Sequence, residues 1–268
     1  MTAHNYYFPV VLLILIGGYL INFIIEILDI AHASTMLPRE FEGYYNAEKY
    51  GKSQSYLKEK IRFSLIENAI SVLAVIIFIL TGWFNLIDVF ARSFDQGPII
   101  TGLMFLGIIY IASYLFSMPF TAYRIFVIEE KYGFNRTTPA IFIADIFKQF
   151  FLTMVIGAII LGAILWFFSI AGKWAWLYSW IAVTAFELFL AFIAPIAILP
   201  LFNKFTPLEE GELKTAITGY ANSQDFKIRG IYKMDASRRS AKSNAFFIGL
   251  GRYKRIVFFD TLIEKMKV

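Results

Sequence analysis

Cysteine is absent from the 268 residues, which excludes a disulfide framework, a thiolate zinc site, an iron–sulfur cluster and a cysteine nucleophile. Histidine is nearly absent. His4 and His32 are the only two; they sit at no metal-ligand spacing from each other and are too few for a Ser–His–Asp triad. No H-E-x-x-H occurs in the sequence. Charge is also scarce, at 17% of residues against about 25% in ordinary globular chains. In its place the chain is 58% hydrophobic and 18% aromatic, with a mean hydropathy of +0.62. A disordered chain shows the opposite bias, and a soluble domain has no use for so much apolar surface, so the solvent to consider first is the lipid bilayer.

About 20 predominantly apolar residues carry a helix across the hydrocarbon core. Five such runs are present: Pro9 to Leu28, Leu65 to Phe84, Ile99 to Met118, Phe150 to Ala171 and Trp174 to Pro200. The first is longer than a signal-peptide core and is followed by further spans, so it is expected to be retained. Lys and Arg divide unevenly between the connections: six follow span one, four follow span three and thirteen follow span five, whereas Arg92 and Lys173 alone lie on the other side. By the positive-inside rule the N-terminus is then outside and the C-terminus cytoplasmic. The formal charge of +5 reports topology, and nucleic acid is not an expected partner. Within the spans the ionisable residues are Glu26, Glu67 and Glu187.

After Pro200 the pattern changes to short alternating segments, an expected α+β tail over 201–268 beside a five-span region over 1–200 with cytoplasmic loops 31–64 and 119–149. The fold class is therefore a mostly α membrane protein with five transmembrane helices and a small cytoplasmic α+β tail. Thr206-Pro207-Leu208-Glu209 has the form of a capping box and predicts a helix running to about Gln224. Ile228 to Asp235 reads as a strand, and Asn244 to Leu250 with Arg255 to Phe259 as a hairpin about Gly251-Arg252-Tyr253-Lys254. Asp260-Thr261 is placed to cap a last helix from Leu262. In the first loop, Tyr56, Lys60 and Phe63 recur at helical spacing and predict an amphipathic segment on the membrane surface.

Four stretches resemble the type I CAAX prenyl proteases. Glu129-Glu130-Lys131-Tyr132-Gly133-Phe134-Asn135-Arg136-Thr137 is close to that family's EEKFGFN signature. Leu199 to Leu208 resembles its PLFNKFTPL segment. Ser243-Asn244-Ala245-Phe246-Phe247, Gly249-Leu250-Gly251 and Lys254 to Leu262 form the third stretch, and Lys52-Ser53-Gln54 with Tyr56, Lys60 and Phe63 the weakest. The resemblance implies an integral-membrane zinc metalloendopeptidase of the gluzincin type, with seven helices around a water-filled chamber and an H-E-x-x-H helix. That motif places two imidazoles on one helix face to hold Zn²⁺ and a glutamate between them to take a proton from the bound water. In the family it follows the segment resembling Asp260-Thr261-Leu262, whereas this sequence stops at Val268. The expectation is an incomplete gluzincin-type domain over 201–268: the N-terminal part of such a protease, with no zinc ligand and no catalytic residue of its own, inactive alone. Zinc belongs to the complete family enzyme.

By the same resemblance, Asn244, Ala245 and Phe246 are the expected substrate-binding residues, on an edge strand that takes an extended peptide backbone. From spacing alone they are an ordinary hairpin strand entered by a turn asparagine. Glu187, in the middle of span five, is expected to face a chamber or a helix partner, since a lipid-facing carboxylate there costs on the order of 2.5–3.5 kcal/mol. Arg238-Arg239 with Lys242 reads first as a solvated, lipid-facing charge run, with steering of an anionic C-terminus as the alternative. Glu129-Glu130-Lys131 reads as a structural ion-pair segment, and Gly249-Leu250-Gly251 is too short for a phosphate loop. The expected partners are membrane lipids and a peptide with a C-terminal motif or an extended segment. A bacterial inner membrane is favoured over the endoplasmic reticulum. Two other functions fit less of the sequence: a non-catalytic relative that binds peptide or lipid, and an unrelated transporter suggested by the span count and Glu187.

Overall fold

The computed structural model describes residues 7–249 and 254–266. His4 and the hairpin tip Leu250-Gly251-Arg252-Tyr253 lie outside the described residues. In chain order the helices begin with α1 (Tyr7–His32), α2 (Ala47–Leu80), α3 (Trp83–Arg92) and α4 (Pro98–Tyr123), the last continued by wide π turns over Arg124–Glu129. Then come α5 (Pro139–Ile170) and α6 (Ala175–Ile193), which passes through π turns at Ala194–Ile198 into the short α7 (Leu199–Phe202). Five of these stretches are long and apolar enough to cross a membrane, and the chain is an integral membrane protein.

The helices overrun the apolar runs at their ends. α2 starts at Ala47, so Tyr56, Lys60 and Phe63 belong to the first half of a continuous 34-residue helix and not to a separate surface segment. Asn46 caps it by accepting from the Lys49 N–H at 2.9 Å, and between Ala47 and Leu80 there is no proline and one glycine, Gly51. The expected 31–64 loop is shortened accordingly. The 119–149 loop shrinks as well, because the π turns carry α4 to Glu129 and α5 begins at Pro139. There Thr138 accepts from the Ile141 N–H at 3.3 Å, and Pro139 takes the first helical position, where a missing N–H costs nothing. Both π segments adjoin a proline, Pro119 ahead of the first and Pro195 inside the second, a usual site for the helical ladder to widen.

The chain forms two compact units. One comprises the residues up to Phe94 with Ile111–Tyr132, the other Asp95–Tyr110 with the residues from Gly133 onward. In the first, α1 packs along α2. Glu26 Oε1 accepts from Ser64 Oγ at 3.1 Å and from Asn68 Nδ2 at 3.3 Å, so this carboxylate is bonded between helices. Arg124 pairs with Glu67 and lies 6.0 Å from the Phe63 ring centre.

In the second unit α5 packs along α6, and a four-stranded sheet follows α7. Its strands are β1 (Phe205–Pro207), β2 (Gly230–Met234), β3 (Ala245–Ile248) and β4 (Arg255–Phe259), in the spatial order β1-β2-β4-β3. β2 and β4 run parallel; the outer strands pair antiparallel to them. The first residues of the tail correct the sequence expectation. Phe205–Pro207 are strand, and the helix α8 (Glu212–Ser223) starts several residues later. Thr206 lies opposite Lys233, and the Leu208 N–H donates to the Ile231 carbonyl at 2.9 Å. Pairing with β2 thus outweighs the capping-box pattern, and an edge strand tolerates Pro207. One sheet face buries Ile231, Ile256 and Phe258 with Leu208 under α8; the other buries Met234 and Val257 with Ala236. The short α9 (Asp260–Ile263) closes the described tail.

Candidate functional site

Hydrogen-bond parity decides what β3 offers. The Phe259 N–H donates to the Asn244 carbonyl at 2.9 Å, which makes 244 and 259 a hydrogen-bonded antiparallel pair. Alternation then turns the backbone groups of Phe246 and Ile248 toward β4 and those of Ala245 and Phe247 away from it. Among the described residues no strand lies beyond β3, so the Ala245 and Phe247 groups point to an open edge. The Ala245 N–H is already held by Asn244 Oδ1 at 2.9 Å. The Ala245 C=O and the Phe247 N–H and C=O remain, beside a Phe247 side chain that is 64% exposed.

Of the three expected substrate-binding residues, Asn244 and Ala245 are exposed at the start of this edge. Phe246 is half-buried, with its ring 6.1 Å from that of Phe259 on the sheet's other face. Its backbone faces β4. The residue that sequence reasoning missed is Phe247, and counting register from a known β3–β4 pairing is the signal that finds it. Alongside the edge runs an open groove of about 500 Å³, walled by Leu213, Ile217 and Tyr220 of α8, Ala245 and Phe247 of β3, and Met266.

The loop that leads into β3 is pinned at two points. At the β4–α9 corner Asp260 accepts from the Ser237 hydroxyl and, at 2.9 Å, from the Ser237 N–H. Thr261, only 2% exposed, donates its hydroxyl to the Lys242 carbonyl at 2.8 Å and accepts from Ser243 Oγ at 3.0 Å through its own carbonyl. Upstream, Arg239 is not the solvated charge expected of it. Its Nε and Nη2 donate to the two Asp145 carboxylate oxygens at 2.6 and 2.9 Å, and Nη1 reaches Asn203 Oδ1 at 3.3 Å. Donating to the Asp145 carboxylate raises the arginine's pKa above its ordinary value. The Arg239 carbonyl accepts from the Arg136 N–H and from Thr137 Oγ1, both at 3.1 Å, and the Ala241 N–H donates to the Phe134 carbonyl at 3.0 Å. Three stretches of the quoted resemblance therefore converge on this one loop.

Glu187 lies exposed about two thirds of the way along α6, and no described residue supplies it a hydrogen bond. In the first unit the Glu129-Glu130-Lys131 segment has its structural role: Tyr56 donates to Glu129, and Lys131 Nζ and the Tyr132 hydroxyl each donate to Glu59 Oε2 at 2.7 Å. The bond to Glu59 raises the Lys131 pKa, and burial, then the same carboxylate, raises that of Tyr132.

Zinc, the metal that the resemblance implies, finds no donor set among the described residues. No three His, Cys, Asp or Glu side chains converge among them, and His32 holds its Nδ1 2.8 Å from the Leu28 carbonyl. No hydrolytic step is assigned to these residues.

Comparison with known proteins bears on all of these elements. A family model described as the CAAX prenyl protease N-terminal region, with five membrane helices, matches residues 26–204, and that of peptidase family M48 matches residues 207–268. A CAAX prenyl protease 1 homolog of Arabidopsis thaliana is 33% identical over 264 residues, covering 94% of this chain and 62% of that protein. The Mus musculus homolog is 37% identical over 243 residues, covering 88% and 51%. The crystal structure of S. mikatae Ste24p superposes with a TM-score of 0.88 at 32% identity, over 95% of this chain and 61% of the other. The chain spans little more than half the length of the curated relatives it matches, and these relatives are eukaryotic. With its five membrane helices, its small sheet and its motif segments all accounted for, the chain belongs to the CAAX prenyl protease family of M48 peptidases.

Proposed function

We propose that this chain forms the substrate-receiving part of a membrane zinc metalloendopeptidase that trims the C-termini of prenylated or other membrane-associated peptides, and that residues 1–268 do not hydrolyse peptides by themselves. The observation that carries this reading is the open edge of β3. An extended peptide adds to such an edge by pairing its backbone with outward N–H and C=O groups, and pockets for alternate side chains confer selectivity. Phe247 supplies the backbone pair, Asn244 and Ala245 the adjoining contact, and Phe246 supports the strand from the opposite face. Glu187 is proposed to line a hydrated chamber, the setting in which a mid-span carboxylate without a protein partner keeps its hydration. Residues 201–268 are proposed as part of the protease domain on the cytoplasmic side.

The test is photo-crosslinking of an unstructured peptide carrying benzoylphenylalanine to the purified chain, with and without a farnesylated C-terminus. Adducts are expected within residues 244–248. Phe247→Pro removes one outward N–H while sparing the ladder to β4, because residue 247 gives no backbone bond to that strand. It is expected to weaken peptide binding by about fivefold, the worth of one hydrogen bond of about 1 kcal/mol, with Phe247→Ala separating the loss of the ring. Adducts confined to other segments, or peptide turnover by residues 1–268 supplied with zinc, would contradict the reading.

A further inference from the structure

Beside the Arg239–Asp145 pair the second unit contains a polar cavity of about 230 Å³, lined by Lys148, Lys204, Arg238, Arg239 and Asp145, with apolar walls from α5 and from Pro200–Phe202 of α7. Its charge is unbalanced. Arg239 and Asp145 neutralise each other through two hydrogen bonds, so neither offers nor repels much net charge. Asp235, just outside the lining, holds the Lys204 backbone N–H at 2.6 Å and reaches the Arg238 guanidinium only at 3.4 Å. The Lys148 ammonium donates to the Leu201 carbonyl at 2.8 Å and lies 6.0 Å from the Phe202 ring centre. A carbonyl and a ring leave its full charge uncancelled, and it has three donors to place. Lys204 is exposed, and its ammonium has no partner among the described residues.

Depth identifies what meets this charge. The apolar run of span four begins at Phe150, two residues after Lys148, and that of span five ends at Pro200, four residues before Lys204. Both ammonium groups therefore sit where hydrocarbon gives way to headgroups, at the level of lipid phosphates. A tetrahedral phosphate accepts hydrogen bonds only, which matches a site whose uncommitted groups are all donors.

We propose that this cavity binds the phosphate of an anionic phospholipid headgroup, held by Lys148 and Lys204 with Arg238 at its rim. The site is separate from the β3 edge and does not depend on how a peptide binds there.

Native mass spectrometry of the full 268-residue chain in detergent, titrated with dioctanoyl-phosphatidylglycerol, dioctanoyl-phosphatidylcholine or inorganic phosphate, tests the assignment. The phosphatidylglycerol adduct is expected to persist in preference to the other two. The double variant Lys148→Gln/Lys204→Gln is expected to weaken it about ten- to thirtyfold, the effect of two interfacial cations. Lys148→Arg/Lys204→Arg is expected to keep it, and Lys52→Gln/Lys60→Gln, which removes the same charge from exposed positions on α2, to leave it unchanged. Equal retention of phosphatidylcholine, equal loss in the α2 variant, or binding of inorganic phosphate as tight as that of the lipid would each overturn the proposal, the last by showing a site for free anion.

Discussion

Arg239 anchors its loop with both faces of the residue. The guanidinium clamps Asp145 and Asn203, and the carbonyl takes two donors from the Arg136–Thr137 segment. The two charged side chains are each about a quarter exposed, at 23% and 24%, so solvent screens the pair only partly. Arg239→Gln is expected to cost about 1–3 kcal/mol, the range for hydrogen bonds to charged groups, with Asp145→Asn somewhat less. The double variant should cost less than the sum of the two, since each single change strands the other charge. Thermal midpoints of the detergent-solubilised chain read this out, and strict additivity would remove the coupling. From sequence, Arg238-Arg239 looks like one charge run, because nothing local distinguishes a basic residue aimed at solvent from one aimed at a carboxylate 94 residues away. Asn244 was legible for the converse reason: a small amide at the entry to an alternating segment marks a turn into a strand, whatever else surrounds it.

At the level of elements, one glycine, Gly102, marks the close contact between α4 and α5. Ala158 and Gly162 stand four residues apart on α5 as a small-residue pair, yet a Cβ at Gly162 would meet only Leu103 Cδ1, at an ordinary 3.8 Å. At Gly102 a Cβ would come within 2.7 Å of Leu165 Cδ1. Gly162→Ala is therefore expected to be neutral or to stabilise by up to about 1 kcal/mol through helix propensity. Gly102→Ala should forfeit that gain as Leu165 is pushed from its rotamer. A thermal-shift comparison of the two variants checks the order, and a lower midpoint for Gly162→Ala than for Gly102→Ala would refute it. Continuous apolar runs made the five spans legible because the bilayer imposes length and composition together. It could not locate the helix ends. α2 extends to Ala47 through charged turns whose propensity is helical and whose cap is Asn46. At Thr206-Pro207 the local code favoured a helix and lost to cross-strand pairing with β2, a long-range interaction that no window of neighbouring residues contains.

For the whole molecule the open question is sidedness, and the absence of cysteine that narrows its chemistry also makes the question tractable. Twenty-three of its 25 Lys and Arg residues fall in three segments that an odd span count places on one face, leaving Arg92 and Lys173 for the other. Insertion that leaves this charge in the cytoplasm places Ser93 and Lys173 outside and Lys49 and Lys265 inside. Single cysteines at these four positions, each the only thiol in the chain, report this directly. Ser93→Cys and Lys173→Cys are expected to react with a membrane-impermeant maleimide on intact cells or right-side-out vesicles. Lys49→Cys and Lys265→Cys should react only after the membrane is opened. The mirror pattern would invert the topology. It would move the β3 edge and the Lys148–Lys204 cavity to the outer face, where the anionic lipid of the cytoplasmic leaflet is not available. Mixed labelling within one pair would mean that the span count between those two sites is wrong, and the charge partition that fixes the orientation would fall with it.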